Sequence, residues 1–136
     1  MTERGPGEPL RRPSAQLVAE AEARVRAIGV DEAAALLENP TVAFVDVRDP
    51  REIAREGMIP GALKGPRGLL DFWVDPQSPY YNSRFDDGRA LLLYCSLGWR
   101  SVLTAQTLLD MGRDDVAHLA GGFTAWRAAG HPVEGG

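Results

Sequence analysis

The chain has 136 residues, 44% of them hydrophobic and 25% charged, with a formal net charge of -4. That length and balance suit one globular domain with an ordinary core, and the acidic excess argues against a general nucleic-acid or membrane-surface binder. The single cysteine excludes an internal disulfide and a thiolate zinc site, so a reducing, cytoplasmic setting is expected and sulfur chemistry would need an outside thiol.

No run approaches the roughly 18 apolar residues of a membrane-spanning helix. The N-terminal stretch MTERGPGEPLRRPSAQ also lacks the apolar centre of a secretory signal. Three prolines and two glycines make residues 1–13 a flexible tail, with a single domain over 14–136 whose core spans about 30–133. From Ser14, SAQLVAEAEARVRAI sets Leu17, Ala21 and Val25 at helical spacing, with Ser14 as the cap and Gly29 as the stop. Asp31 is expected to cap a second short helix, EAAALLE, closed by Asn39-Pro40. TVAFVDV reads as a buried strand ending near Asp46. DPREIARE reads as a helix capped by Asp49, with Pro50 in its first position.

GMIPGA is turn chemistry around Pro60 and Gly61. The stretch from Lys64 to Asp87 is expected to be irregular apart from a turn of helix at GLLDFW, and connections of that length are often functional. A strand from Ala90 to Tyr94 runs into Cys95. SVLTAQTLLDM follows as a helix with Val102, Ala105, Leu108 and Leu109 on one face and Gly112 as its stop. DVAHLAGG is a strand into a glycine turn, and FTAWRAAG a last helix. This alternation predicts an α/β fold, a central, mostly parallel β-sheet flanked by helices on both faces. Sites in such sheets lie at the carboxyl ends of strands, where Cys95 and Asp46 fall.

The residues from Cys95 to Arg100 must turn the chain from strand to helix, which leaves several backbone N–H groups without partners. Converging inward, these N–H groups form an anion nest reinforced by the positive end of the following helix. A thiolate or a persulfide on Cys95 is the negative charge best placed to fill it. Gly98 suits a tight loop that needs positive φ, and the planar fork of Arg100 suits oxyanions. A lone cysteine after a buried strand is more often an inert small hydrophobe; the order strand, cysteine, loop, arginine, helix weighs against that reading.

CSLGWRS resembles the active-site loop of the rhodanese family, in which a cysteine opens a six-residue loop at a strand's end. VDVRDPREIAREGMIPGA resembles that family's first signature and HLAGGFTAW its C-terminal one, in the family's order, over about Val30 to Val133. The resemblance implies a rhodanese-like α/β domain that transfers sulfane sulfur without metal or organic cofactor. Cys95 would be the nucleophile and persulfide carrier, with Ser96, Leu97, Gly98, Trp99, Arg100 and Ser101 as the binding loop. The implied donor is thiosulfate or a persulfide, and the implied acceptor cyanide, a thiol or a protein, with no nucleic-acid or membrane partner. The alternative is a rhodanese-fold sulfur carrier, sensor or binding module with little turnover. Related phosphatases and arsenate reductases have a loop one residue longer; the four residues between Cys95 and Arg100 favour sulfur over phosphate.

Met58 stands where many relatives have histidine, so a packing role is expected there. Leu97 and Trp99 make the rim apolar, which suits a bulkier donor or a protein acceptor; the competing role for Trp99 is packing over its own loop. Three residues are expected to support the site. Asp46 would accept hydrogen bonds near the loop, Arg48 would reach Glu52 or brace a turn, and Arg67 would face the anion. A scaffold role competes for Asp46 and Arg48, and a satellite cluster with Phe72, Trp73, Tyr80 and Tyr81 competes for the long segment. His118 reads as a partly buried scaffold residue and His131 as exposed. Gly121 and Gly122 would allow close backbone approach to the cysteine loop, and Trp126 reads as core.

Overall fold

The computed structural model describes residues 3–136, so Met1 and Thr2 of the expected tail lie outside the described residues. Its elements are α1 (Ser14–Glu22), β1 (Arg26–Ile28), α2 (Val30–Ala34), β2 (Val42–Asp46), α3 (Pro50–Glu56), β3 (Leu63–Lys64), α4 (Arg67–Trp73), β4 (Ala90–Tyr94), α5 (Trp99–Asp110), β5 (Val116–Leu119) and α6 (Gly122–Ala128). A short 3-10 turn covers Ser83–Phe85. The strands form one parallel sheet in the order β1-β5-β4-β2-β3. Among the described residues no helix is long and apolar enough to cross a membrane.

Period-two alternation sorts the strand residues between the two faces. Ala43, Val45, Leu91 and Leu93 meet Val18 and Ala21 of α1, Leu70 of α4, and Val102, Ala105 and Leu108 of α5. Phe44, Leu92, Tyr94 and Leu119 meet Ala33 of α2 and Phe123 and Trp126 of α6. Both faces of β4 are therefore covered, which is why LLLY is apolar without a break. Each of the Val, Leu and Phe side chains among them contributes about 1.5–3 kcal/mol on leaving water.

Three expectations need correction. The helix read from Ser14 stops at Glu22, and Arg26–Ile28 becomes an edge strand paired with β5; Leu17 is only half-buried and Val18 takes its place in the core. Three strand residues inside a helical pattern gave no separate signal. Pro13 rather than Ser14 occupies the cap of α1, and Gly29 rather than Asp31 that of α2. The segment from Lys64 onward is more ordered than expected. Lys64 closes β3, Leu70 and Phe85 are buried, and Trp73 lies against Phe85 at 5.5 Å between ring centroids. Those apolar anchors hold the connection to the α5 face.

The helix after β2 does start as read. Asp49 accepts from Arg51 N–H at 2.7 Å, Glu52 accepts from Asp49 N–H at 3.2 Å, and Pro50 fills the first position. This reciprocal cap fixes where α3 begins, and so where Glu52 points.

Candidate active site

Cys95 follows β4, the central strand, at the sheet's carboxyl edge. Its carbonyl accepts from Phe123 N–H at 2.8 Å, and that of Ser96 from Thr124 N–H at 3.0 Å. The loop is thus pinned to the start of α6. The approach is so close that a Cβ on Gly122 would lie 2.5 Å from the Ser96 carbonyl oxygen. Gly122 also has φ +62°, so a side chain there meets both strain and backbone. On the opposite side the loop ends at Gly98, which caps α5 at φ 116°.

That cap turns the Gly98 N–H onto the Cys95 sulfur at 3.1 Å. Trp99, Arg100 and Ser101 form the first turn of α5, where N–H groups have no intrahelical acceptor and the helix dipole is positive. Cys95 is 1% exposed and forms the floor of a cleft of about 370 Å³ lined by Ser96, Leu97, Trp99 and Arg100. Leu97 and Trp99 are 69% and 53% exposed at its mouth.

Arg100 is occupied. Its Nη1 donates to Glu52 Oε1 at 2.6 Å and its Nη2 to Glu52 Oε2 at 3.0 Å, with a further bond to Ser96 Oγ at 3.2 Å. Ser96 Oγ also donates to Glu52 Oε2 at 3.4 Å. The guanidinium holds the Glu52 carboxyl at about 2, well below an ordinary 4.5, against the opposing effect of burial. The same pairing raises the arginine, with a smaller contribution from the nearby cysteine. Glu52 therefore clamps both ends of the loop and neutralises the cation at its rim.

Asp46 and Arg48 form a separate, fully buried unit. The Arg48 Nη2 donates to Asp46 Oδ2 at 2.7 Å and to the Gly57 carbonyl at 2.7 Å, and the Arg48 backbone N–H donates to Asp46 Oδ1 at 3.0 Å. Its guanidinium stacks 4.3 Å from the Phe123 ring centroid. Arg48 thus braces the turn after α3 and reaches Glu56 at 3.7 Å; the partner of Glu52 is Arg100. Tyr94 completes this unit by accepting the Ile59 N–H at 3.0 Å, and burial pushes its hydroxyl pKa up. Met58 packs in the core while its backbone pairs with Glu134. Arg67 lies exposed at the start of α4, its N–H bonded to the Val47 carbonyl at 3.2 Å, and is not among the residues lining the cysteine cleft.

Sequence reasoning missed two contacts. His131 is not free in solvent: its Nε2 meets Asp31 Oδ1 at 2.8 Å and its ring lies on Trp126. His118 is 4% exposed and its Nδ1 lies 3.1 Å from Ser101 Oγ. The Cys95 thiol in turn donates to that hydroxyl at 3.6 Å. The available signal was strand alternation, which points position 118 toward the face that carries α5.

Comparison with known proteins shows the family and the fold. Residues 29–129 match the model of the rhodanese-like domain. A sulfurtransferase of Allochromatium vinosum is 36% identical over 98 residues, covering 72% of this chain and 83% of the relative. The thiosulfate sulfurtransferase GlpE of Pseudoalteromonas translucida is 32% identical over 75% of this chain and 89% of its own. Among solved structures, a Rhodopseudomonas palustris protein of unknown function, described as a possible tyrosine phosphatase, superposes with a TM-score of 0.90 at 43% identity. That match covers 96% of this chain and all of the other.

Proposed function

Because the chain belongs to the rhodanese-like domain family, whose relatives here include sulfurtransferases, we propose that it moves sulfane sulfur through a persulfide on Cys95. The observation that carries this reading is the Cys95 sulfur itself, at the floor of an open cleft, receiving the Gly98 N–H at the positive end of α5. In the first half-reaction the thiolate attacks the outer sulfur of thiosulfate. A new S–S bond forms, and sulfite departs with the electron pair of the old one. In the second, cyanide or a thiol attacks the terminal sulfur, takes it as thiocyanate or a persulfide, and returns the thiolate. Neither step calls for a metal or an organic cofactor.

The nest of N–H groups from Ser96 to Ser101 holds the persulfide charge, a role for which preorganised backbone donors are well suited. Arg100 and Ser96, locked by Glu52, keep the nest in shape. Asp46 and Arg48 hold the neighbouring turn, and Arg67 remains at most a remote positive charge toward an arriving anion. A cytoplasmic setting suits an unpaired thiol that must stay reduced. Turnover of thiosulfate and cyanide to thiocyanate, lost in Cys95→Ser, tests the proposal; equal turnover in the variant contradicts it.

The exposed Leu97 and Trp99 favour a second reading, a sulfur carrier that hands its cargo to a protein acceptor. It predicts a stable persulfide with slow thiocyanate release. A phosphatase reading, suggested by the description of the Rhodopseudomonas protein, fits less well. Arg100 is already paired with a carboxylate, and the cleft lining offers no acid to protonate a leaving group. Hydrolysis of an aryl phosphate by the wild type, lost in Cys95→Ser, would support that reading instead.

A further inference from the structure

Ser101 sits at a branch point. Its hydroxyl carries one proton and has three neighbours: the Cys95 sulfur at 3.6 Å, His118 Nδ1 at 3.1 Å and the Gly98 carbonyl at 3.3 Å. The Gly98 carbonyl already receives the Val102 N–H at 3.1 Å, so it does not depend on Ser101. Among the described residues His118 has no such substitute on its Nδ1 side. It lies under the loop, with its ring 3.7 Å from where a Gly98 Cβ would be.

Beyond His118 a small cleft of about 180 Å³ opens toward Glu22 of α1, with Ala27 and Trp99 on its walls. The titratable groups facing the ring come from different elements: Glu22 from α1, and Cys95 from the loop after β4, through Ser101 of α5. The flanking strand positions are the uncharged Ala27 of β1 and Leu93 of β4. Arg100, next to Ser101, is engaged with Glu52. Glu22 lies outside the residues 29–129 that match the family model.

We propose that His118 is a positioning residue for the Cys95 sulfur, taking up the thiol's proton through Ser101, with Glu22 steadying the charge that the imidazole gains. The step is a relay. The Sγ–H bond breaks as its proton passes to Ser101 Oγ, and the hydroxyl proton of Ser101 passes to His118 Nδ1. The electron pair stays on sulfur, and nothing is oxidised or reduced. Afterwards Nδ1–H donates to Ser101 and Ser101 donates to the sulfur anion, thiolate or persulfide alike. Burial keeps the His118 pKa below its ordinary 6.5 and Glu22 partly offsets that, so the imidazole is neutral at rest and gains its proton only as the sulfur anion forms beside it.

This inference rests on Cys95 as the reacting thiol, but its test needs no sulfur donor. The rate of Cys95 alkylation by iodoacetamide is followed against pH in wild type, His118→Gln, His118→Leu, Ser101→Ala and Glu22→Gln, with folding checked by circular dichroism. Gln can keep a hydrogen bond to Ser101 but takes up no proton. The expected result is an alkylation rate near neutral pH about tenfold lower in both His118 variants and in Ser101→Ala, converging with wild type at high pH. Ser101→Ala combined with His118→Gln loses no more than either alone, and Glu22→Gln gives a smaller shift in the same direction. Profiles of folded His118→Gln and Ser101→Ala that overlay wild type overturn the relay, even if persulfide transfer stands. A shifted profile supports it even if no sulfur donor is ever found to react.

Discussion

Replacing Glu52 by Gln tests whether the clamp on the cysteine loop is electrostatic. The substitution keeps the shape of the side chain and an acceptor for the Asp49 N–H, but removes the charge that faces Arg100 through bonds of 2.6 and 3.0 Å. A carboxyl lowered from 4.5 to about 2 would be worth ~3 kcal/mol in a sealed interior. The Glu52 side chain is 23% exposed and that of Arg100 36%, so screening leaves about 1–2 kcal/mol. The variant should therefore melt roughly 5 °C below wild type at neutral pH. Because the folded pKa is depressed, this contribution is complete above 4.5 and fades as pH falls toward 2. Urea denaturation across that range should show the gap between the two proteins halved by about pH 3. A gap that stays constant with pH, or no gap at neutral pH, would refute the electrostatic clamp.

Gly122→Ala should cost at least about 3 kcal/mol in urea denaturation, since φ is positive and the new Cβ meets the Ser96 carbonyl. Gly68→Ala, in α4 with nothing within 4 Å of its Cβ, should instead be neutral or stabilise by up to about 1 kcal/mol. Equal effects at the two glycines would mean that the approach of α6 to the loop is not rigid. Arg48→Met should cost roughly 3–5 kcal/mol by leaving Asp46 buried and unpaired. Adding Asp46→Asn should recover part of that loss, and a purely additive double mutant would contradict the pairing.

The sheet, and the place of the candidate site at its carboxyl edge, were legible because local signals agreed with the fold. LLLY ends in Cys95, Asp49-Pro50 starts α3, and Gly98 takes the positive φ read for its loop, although α5 already begins at Trp99, two residues before the helix start read at Ser101. The edge strands β1 and β3 were not legible, since two or three residues carry no period and owe their conformation to neighbours far along the chain. The same limit hid the partners of the charged residues. DVRDPRE shows that Asp46, Arg48 and Glu52 are close in sequence, yet only the tertiary fold separates a buried Asp46–Arg48 pair from a Glu52–Arg100 pair spanning 48 positions. His118 is the clearest case. Its role follows from lying beneath Ser101, which no spacing in the sequence announces.

The central claim is that Cys95 carries sulfur, and the most direct measurement is the intact mass of the protein after incubation with thiosulfate, and separately with glutathione persulfide. The account predicts a gain of one sulfur atom on wild type, reversed by cyanide and absent from Cys95→Ser. No gain with either donor, while Cys95 still alkylates readily, would contradict it.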